Sequence, residues 1–202
     1  MLAFKELSNC MLKKLVNPWL NIIDNITPIN PILQQNEARN VLFLLYFKKE
    51  IASYGVFVLE GEKCEISKGA EKITIYGVQD PESLKGEKYG YREINILEKL
   101  LAELDYQNEG YNILLSHRPE GFDFYTEYGY DLVLCGHAHG GQFRLPIIGA
   151  VYAPGQGFFP KLTEGMHTKN NTTMIVSRGL GNSSIPVRFN NTPELVLITL
   201  EK

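Results

Sequence analysis

His137 and His139 stand two residues apart in LCGHAHGGQ, residues 134–142, and make up half of the chain's four histidines. Imidazole is a preferred ligand for zinc, manganese, iron or nickel, and glycine lets a backbone pass close to an ion with no side chain in the way. In a continuing strand the two rings would point to opposite faces and could not share a site. The flanking glycines break the ladder, so the segment reads as a loop in which both rings can face one cleft. An isolated HxH is more often a hydrogen-bonded polar turn than a metal site. A third histidine changes that balance, because YNILLSH (111–117) and YDLVLCGH (130–137) are short apolar runs that each end in histidine.

The elements that position these rings follow from the same stretch. Between the two runs lies RPEGFDFYTEYG, so strand, short helix and strand imply a parallel crossover. His117 and His137 then share the carboxyl edge of a sheet, where rigid strands hold converging loops and ligands bind. Upstream, YGVFVLEG (54–61), EKCEIS (62–67) and KITIYGV (72–78) read as adjacent antiparallel strands. Ile94, Ile96, Leu97, Leu100, Leu101 and Leu104 form an apolar helical stripe, with Gly110 as its stop. Leu2, Phe4, Leu7, Met11, Leu12, Leu15, Trp19 and Leu20 fall near helical spacing, and residues 24–40 have a loop composition. The predicted organisation is therefore an N-terminal helix and loop over 1–40 and an α/β domain over 41–202.

Bulk properties narrow the function. A chain of 202 residues with 44% hydrophobic content and a net charge of −3 buries an ordinary core. It carries no run of Lys or Arg longer than two, which excludes the electrostatic footprint of a nucleic-acid binder. The longest apolar run, VLFLLYF at 41–47, is far short of the roughly 20 residues that cross a bilayer. Cys10, Cys64 and Cys135 are odd in number and lack metal-type spacing, which points to a reducing cytoplasm. Contact with a membrane surface would fall to the amphipathic segment at the N-terminus. His167 in EGMHTKNN reads as part of a polar turn, Asp80 in GVQDPE as a turn residue bonding nearby backbone, and Arg178 and Arg188 either as structural or as guanidinium forks matched to the oxygens of a phosphate.

LLSHRPE, LVLCGHAHGGQFRLP and the tail VSRGLGNSSIPVRFNNTPELVLITL together resemble the C-terminal half of the calcineurin-like metallophosphoesterases, most of all the bacterial subgroup with a GHTHGGQ-type loop. The resemblance implies a phosphoester substrate, two divalent ions (Mn, Fe or Zn) and a two-sheet β-sandwich with flanking helices. It also implies that His117 and His137 ligate one ion and His139 the other. The family's N-terminal motifs, DxH, GDxxD and GNHE, are absent, so the resemblance predicts a partial sandwich lacking its N-terminal half, fewer than two ions, and self-association through an exposed sheet edge. Asn36, in QQNEARN about where a GNHE loop is expected, stays open as a ligand. A hydrolase and a non-catalytic interaction module with at most one metal stand as alternatives.

Overall fold

The structure, a computed structural model, describes residues 37–84, 93–181 and 187–201. The expected helix over 2–20 and Asn36 lie outside the described residues. The chain divides into two compact units, residues 1–58 with 198–202 and residues 59–197. The first contains helix α1, Glu37–Ser53. Residues 37–40 are thus helical and not loop, since no proline or glycine interrupts the segment. Gly55, at φ 77°, stops the helix, with Gly55 N–H donating to the Ala52 carbonyl (2.9 Å) and Val56 N–H to that of Ile51 (3.3 Å). That cap, and a second left-handed glycine, Gly61 at φ 100°, are why 54–61 forms no strand. Among the described residues, no helix is long and apolar enough to cross a membrane.

The second unit is mixed α/β. Strands β1 (Lys63–Lys68) and β2 (Glu71–Gly77) form the expected antiparallel pair. Helix α2 (Glu93–Glu103) leads to β3 (Tyr111–Leu115), short helix α3 (Phe122–Tyr128) and β4 (Leu132–Cys135). Four two-residue strands follow, β5 (Arg144–Leu145), β6 (Gly149–Ala150), β7 (Tyr152–Ala153) and β8 (Gly157–Phe158), then β9 (Gly165–Lys169) and β10 (Thr172–Val176). One six-stranded sheet runs β1-β2-β3-β4-β10-β9, with β5–β6 and β7–β8 as separate ribbons. The four central strands are parallel and the two outer ones antiparallel. The crossover from β3 through α3 to β4 is parallel, as the spacing predicted.

Hydrophobic burial accounts for this order. A central parallel strand covered on both faces reads as a near-continuous apolar run, which LVLC supplies, whereas TTMIV buries alternate residues. Leu114, Val133, Met174 and Val176 are fully buried, and the α2 stripe buries Leu97, Leu101 and Leu104 in the same core. Helix α2 ends at Glu103, not at Gly110. Gly110 instead turns the chain into β3 at φ 70°, where an added Cβ would lie 2.7 Å from the Lys72 carbonyl oxygen. His167 lies within β9 and not in a turn, its Nε2 3.0 Å from the Glu164 carbonyl oxygen, because the reversal is made three residues later at Asn170, φ 52°. Cys135 ends a buried strand, as read from the sequence.

Candidate metal centre

Parallel strands deliver their carboxyl ends to one edge, and three of those ends carry the site. Asp80 follows β2, His117 follows β3 and His137 follows β4. One donor atom from each lies within 4.8 Å of the others. The His117 and His137 rings are 4.9 Å apart between centroids at an interplanar angle of 67°. His117 Nε2 is 3.8 Å from Asp80 Oδ2. Two ligands at about 2.0–2.2 Å from one ion stand up to roughly 4.3 Å apart, so this separation suits a shared divalent ion. The donor set, one carboxylate and two imidazoles, also suits zinc, manganese or iron. The residues present therefore fit one ion. His139, two residues beyond His137, is not a member of this three-residue group.

Backbone geometry aims the loop. His137 and His139 both take left-handed conformations, φ 59° and 47°, which non-glycine residues adopt at about 1–3 kcal/mol each and which cluster at functional sites. Gly140 and Gly141 are left-handed as well, at φ 66° and 75°. An added Cβ at Gly140 would lie 2.3 Å from Asn191 Oδ1, and one at Gly141 2.3 Å from the Ala150 Cβ. Buried Asn191 fixes the loop by donating to the His139 carbonyl at 2.6 Å. Behind it Arg178 pairs with Glu164 and Glu194, Arg144 with Glu164, and Arg188 donates to the carbonyls of Arg178, Gly179 and Gly181. Arg178 and Arg188 thus take part in contacts within the fold.

On the other side Arg118 dominates. Its side chain is 2% exposed, and its Nε and Nη2 donate to Asp80 Oδ1 at 3.0 and 2.7 Å. Nη2 also reaches Glu82 Oε2 at 3.1 Å, and Nη1 lies 2.8 Å from His137 Nε2. Buried Tyr125 braces this turn, donating to the Arg118 carbonyl at 2.6 Å while its hydroxyl meets Ser116 Oγ at 2.7 Å. Asp80 is the turn residue expected, since Glu82 N–H donates to its Oδ1 at 2.9 Å, but it is also an anchor of the site. Sequence alone leaves that second role as one open way to complete the ligand set. The signal available was its place just after KITIYGV; what weakened it was taking that strand only as part of an antiparallel meander.

Charge states follow from these surroundings. Burial pushes the His137 pKa from its ordinary 6.5 down to about 4, aided by the Arg118 charge and His117 and opposed by Asp80 and Glu82. Burial lowers His117 and His139 too. Burial works to raise Asp80, but hydrogen bonds from Arg118 and the Glu82 N–H, with the Arg118 charge, carry it below its ordinary value. Stability linked to His137 is therefore fully present above pH 6.5 and is lost as pH falls towards 4, because the unfolded chain takes up a proton the folded one refuses. Asp80 acts lower, its contribution present above 3.8 and lost as pH falls through its folded value. We expect the urea midpoint of the chelator-treated chain to drop between pH 7.5 and 4.5; an unchanged midpoint would show that the histidines titrate as if in water.

Several known proteins are similar to this chain. The chain is 30% identical to the uncharacterized metallophosphoesterase YkuE of Bacillus subtilis over 178 residues, 85% of the chain and 60% of that protein. It is 31% identical to an uncharacterized metallophosphoesterase of Aquifex aeolicus over 150 residues, 73% of the chain and 51% of its relative. It is 32% identical to the phosphodiesterase YaeI of Escherichia coli over 88 residues, 44% of the chain and 32% of that protein. The chain thus spans about three-fifths or less of the length of these curated relatives. No protein-family model and no solved structure matches it.

Proposed function

The chain belongs to the calcineurin-like metallophosphoesterase family, and from that premise we propose that it serves the hydrolysis of a phosphoester, with Asp80, His117 and His137 holding a divalent ion. The observation that carries the reading is the convergence of these three donors at the carboxyl ends of adjacent parallel strands. When bound, such an ion supplies Lewis acidity to a phosphoryl oxygen and to the attacking water. The chain's own part is to hold ionised Asp80 and uncharged His117 and His137 at a fixed edge, while Arg118 keeps a permanent positive charge beside them. His139, on the same loop, is the residue from which a second ion would be held.

The finer architecture belongs to the same proposal. In it, the six-stranded sheet is part of a two-sheet sandwich whose other half corresponds to the part of the relatives that this chain does not span. Exposed Leu145, Ile147, Phe158 and Phe159 on the ribbons support self-association. Buried Cys135, a free thiol, supports a reducing compartment. The test is metal analysis of the purified chain with a manganese-supplemented assay on an aryl phosphate monoester and a diester. We expect about one ion per chain, lost in His137→Ala together with any turnover. Absence of metal would favour a non-catalytic module, and turnover that survives His137→Ala would refute the site.

A further inference from the structure

Arg118 holds the atoms that an ion would need. A guanidinium has only N–H donors, so in the 2.8 Å contact with Arg118 Nη1 it is His137 Nε2 that accepts. A neutral imidazole has one lone pair. If Nε2 spends it on Arg118, the ring proton sits on Nδ1, and neither nitrogen is left to coordinate metal. Asp80 is divided in the same way: Oδ1 takes two N–H donors from Arg118, while Oδ2 faces His117. Since Arg118 is 2% exposed and also contacts Glu82 and Glu120, this is a built contact and not a wandering surface side chain.

We infer that Arg118 is a resident cation that competes with a divalent ion for this site, holding His137 and Asp80 in place while metal is absent and releasing His137 Nε2 when metal enters. The inference rests on the Asp80–His117–His137 reading. It differs in sign from an orienting role. A residue that merely orients ligands weakens metal binding when it is removed, typically by about 10- to 100-fold. Removing a competitor strengthens it, because His137 regains its lone pair and the carboxylate of Asp80 loses the positive charge beside it.

The test is cobalt(II) titration of the intact chain, followed by visible absorption, in wild type and Arg118→Met. Arg118→Met is expected to bind cobalt at least about tenfold more tightly than wild type. Equal or weaker binding by the variant, with wild type binding, overturns the competitor and leaves the metal site standing. Failure of both folded proteins to bind cobalt overturns the metal site itself, and the competitor with it. A second measurement needs no variant: in metal-free wild type, ¹⁵N NMR of the imidazoles should show His137 with its proton on Nδ1 and an accepting Nε2, and zinc should abolish that pattern. A metal-free His137 carrying its proton on Nε2 would overturn the inference even if Arg118→Met did not fold.

Discussion

Asp80→Ala is expected to lower the unfolding free energy by about 3 kcal/mol and to remove tight divalent-ion binding. Breaking a buried ion pair from one side costs about 3–5 kcal/mol because the remaining charge is left without its partner. Here that charge is Arg118, with a side chain 2% exposed, and Asp80 provides two of its hydrogen bonds. Glu82 and Glu120 stay within 3.1 and 3.7 Å of the guanidinium, which sets the expected loss at the lower end of that range. The same substitution deletes the one carboxylate among the three donors. Urea denaturation in chelator and cobalt titration measure the two effects separately. Adding Arg118→Met to Asp80→Ala should restore most of the stability, since replacing both partners by apolar groups is often near neutral. A single-mutant loss of only about 0.5 kcal/mol, the scale of an exposed pair, would show that Arg118 is solvated in solution.

Gly141→Ala is expected to destabilise the chain by about 2–5 kcal/mol and to weaken metal binding in the same step. The left-handed backbone at φ 75° disfavours any L side chain by about 1–2 kcal/mol. Packing adds to this, because the new methyl would lie 2.3 Å from the Ala150 Cβ and 3.2 Å from its Cα, and overpacking typically costs about 1–3 kcal/mol. Either strand β6 or the histidine loop has to move, and the loop carries His137 and His139. Gly165 is the control: its φ is 77°, but an added Cβ meets nothing within 4 Å, so Gly165→Ala should show the backbone penalty alone. Equal losses at the two positions would remove the packing argument.

Local pattern was enough for the β1–β2 pair, the crossover over 111–137 and the residues fit for chemistry, but not for 37–40, 54–61 or the strand that holds His167. The crossover over 111–137 was legible because two apolar runs of strand length flank a short amphipathic segment, and parallel pairing is the arrangement such a connection allows. The α2 stripe was legible because its apolar spacing survives into the fold as the buried face. His117 and His137 could be placed side by side from their positions at two strand ends, and their rings are 4.9 Å apart. Tertiary structure alone decided the rest. Strand β2 sits beside β3 through a pairing that spans 38 residues from Ile73 to Tyr111, and no local pattern sets that neighbour; it is what carries Asp80 to the histidines. Arg118 reads in sequence as an ordinary charged residue before a proline. Only the folded sheet buries the guanidinium and directs it onto Asp80 and His137, because a buried charge is costly without a partner. Side-chain type can be read along the chain, whereas the meeting of donors from distant strand ends exists only once the sheet has formed.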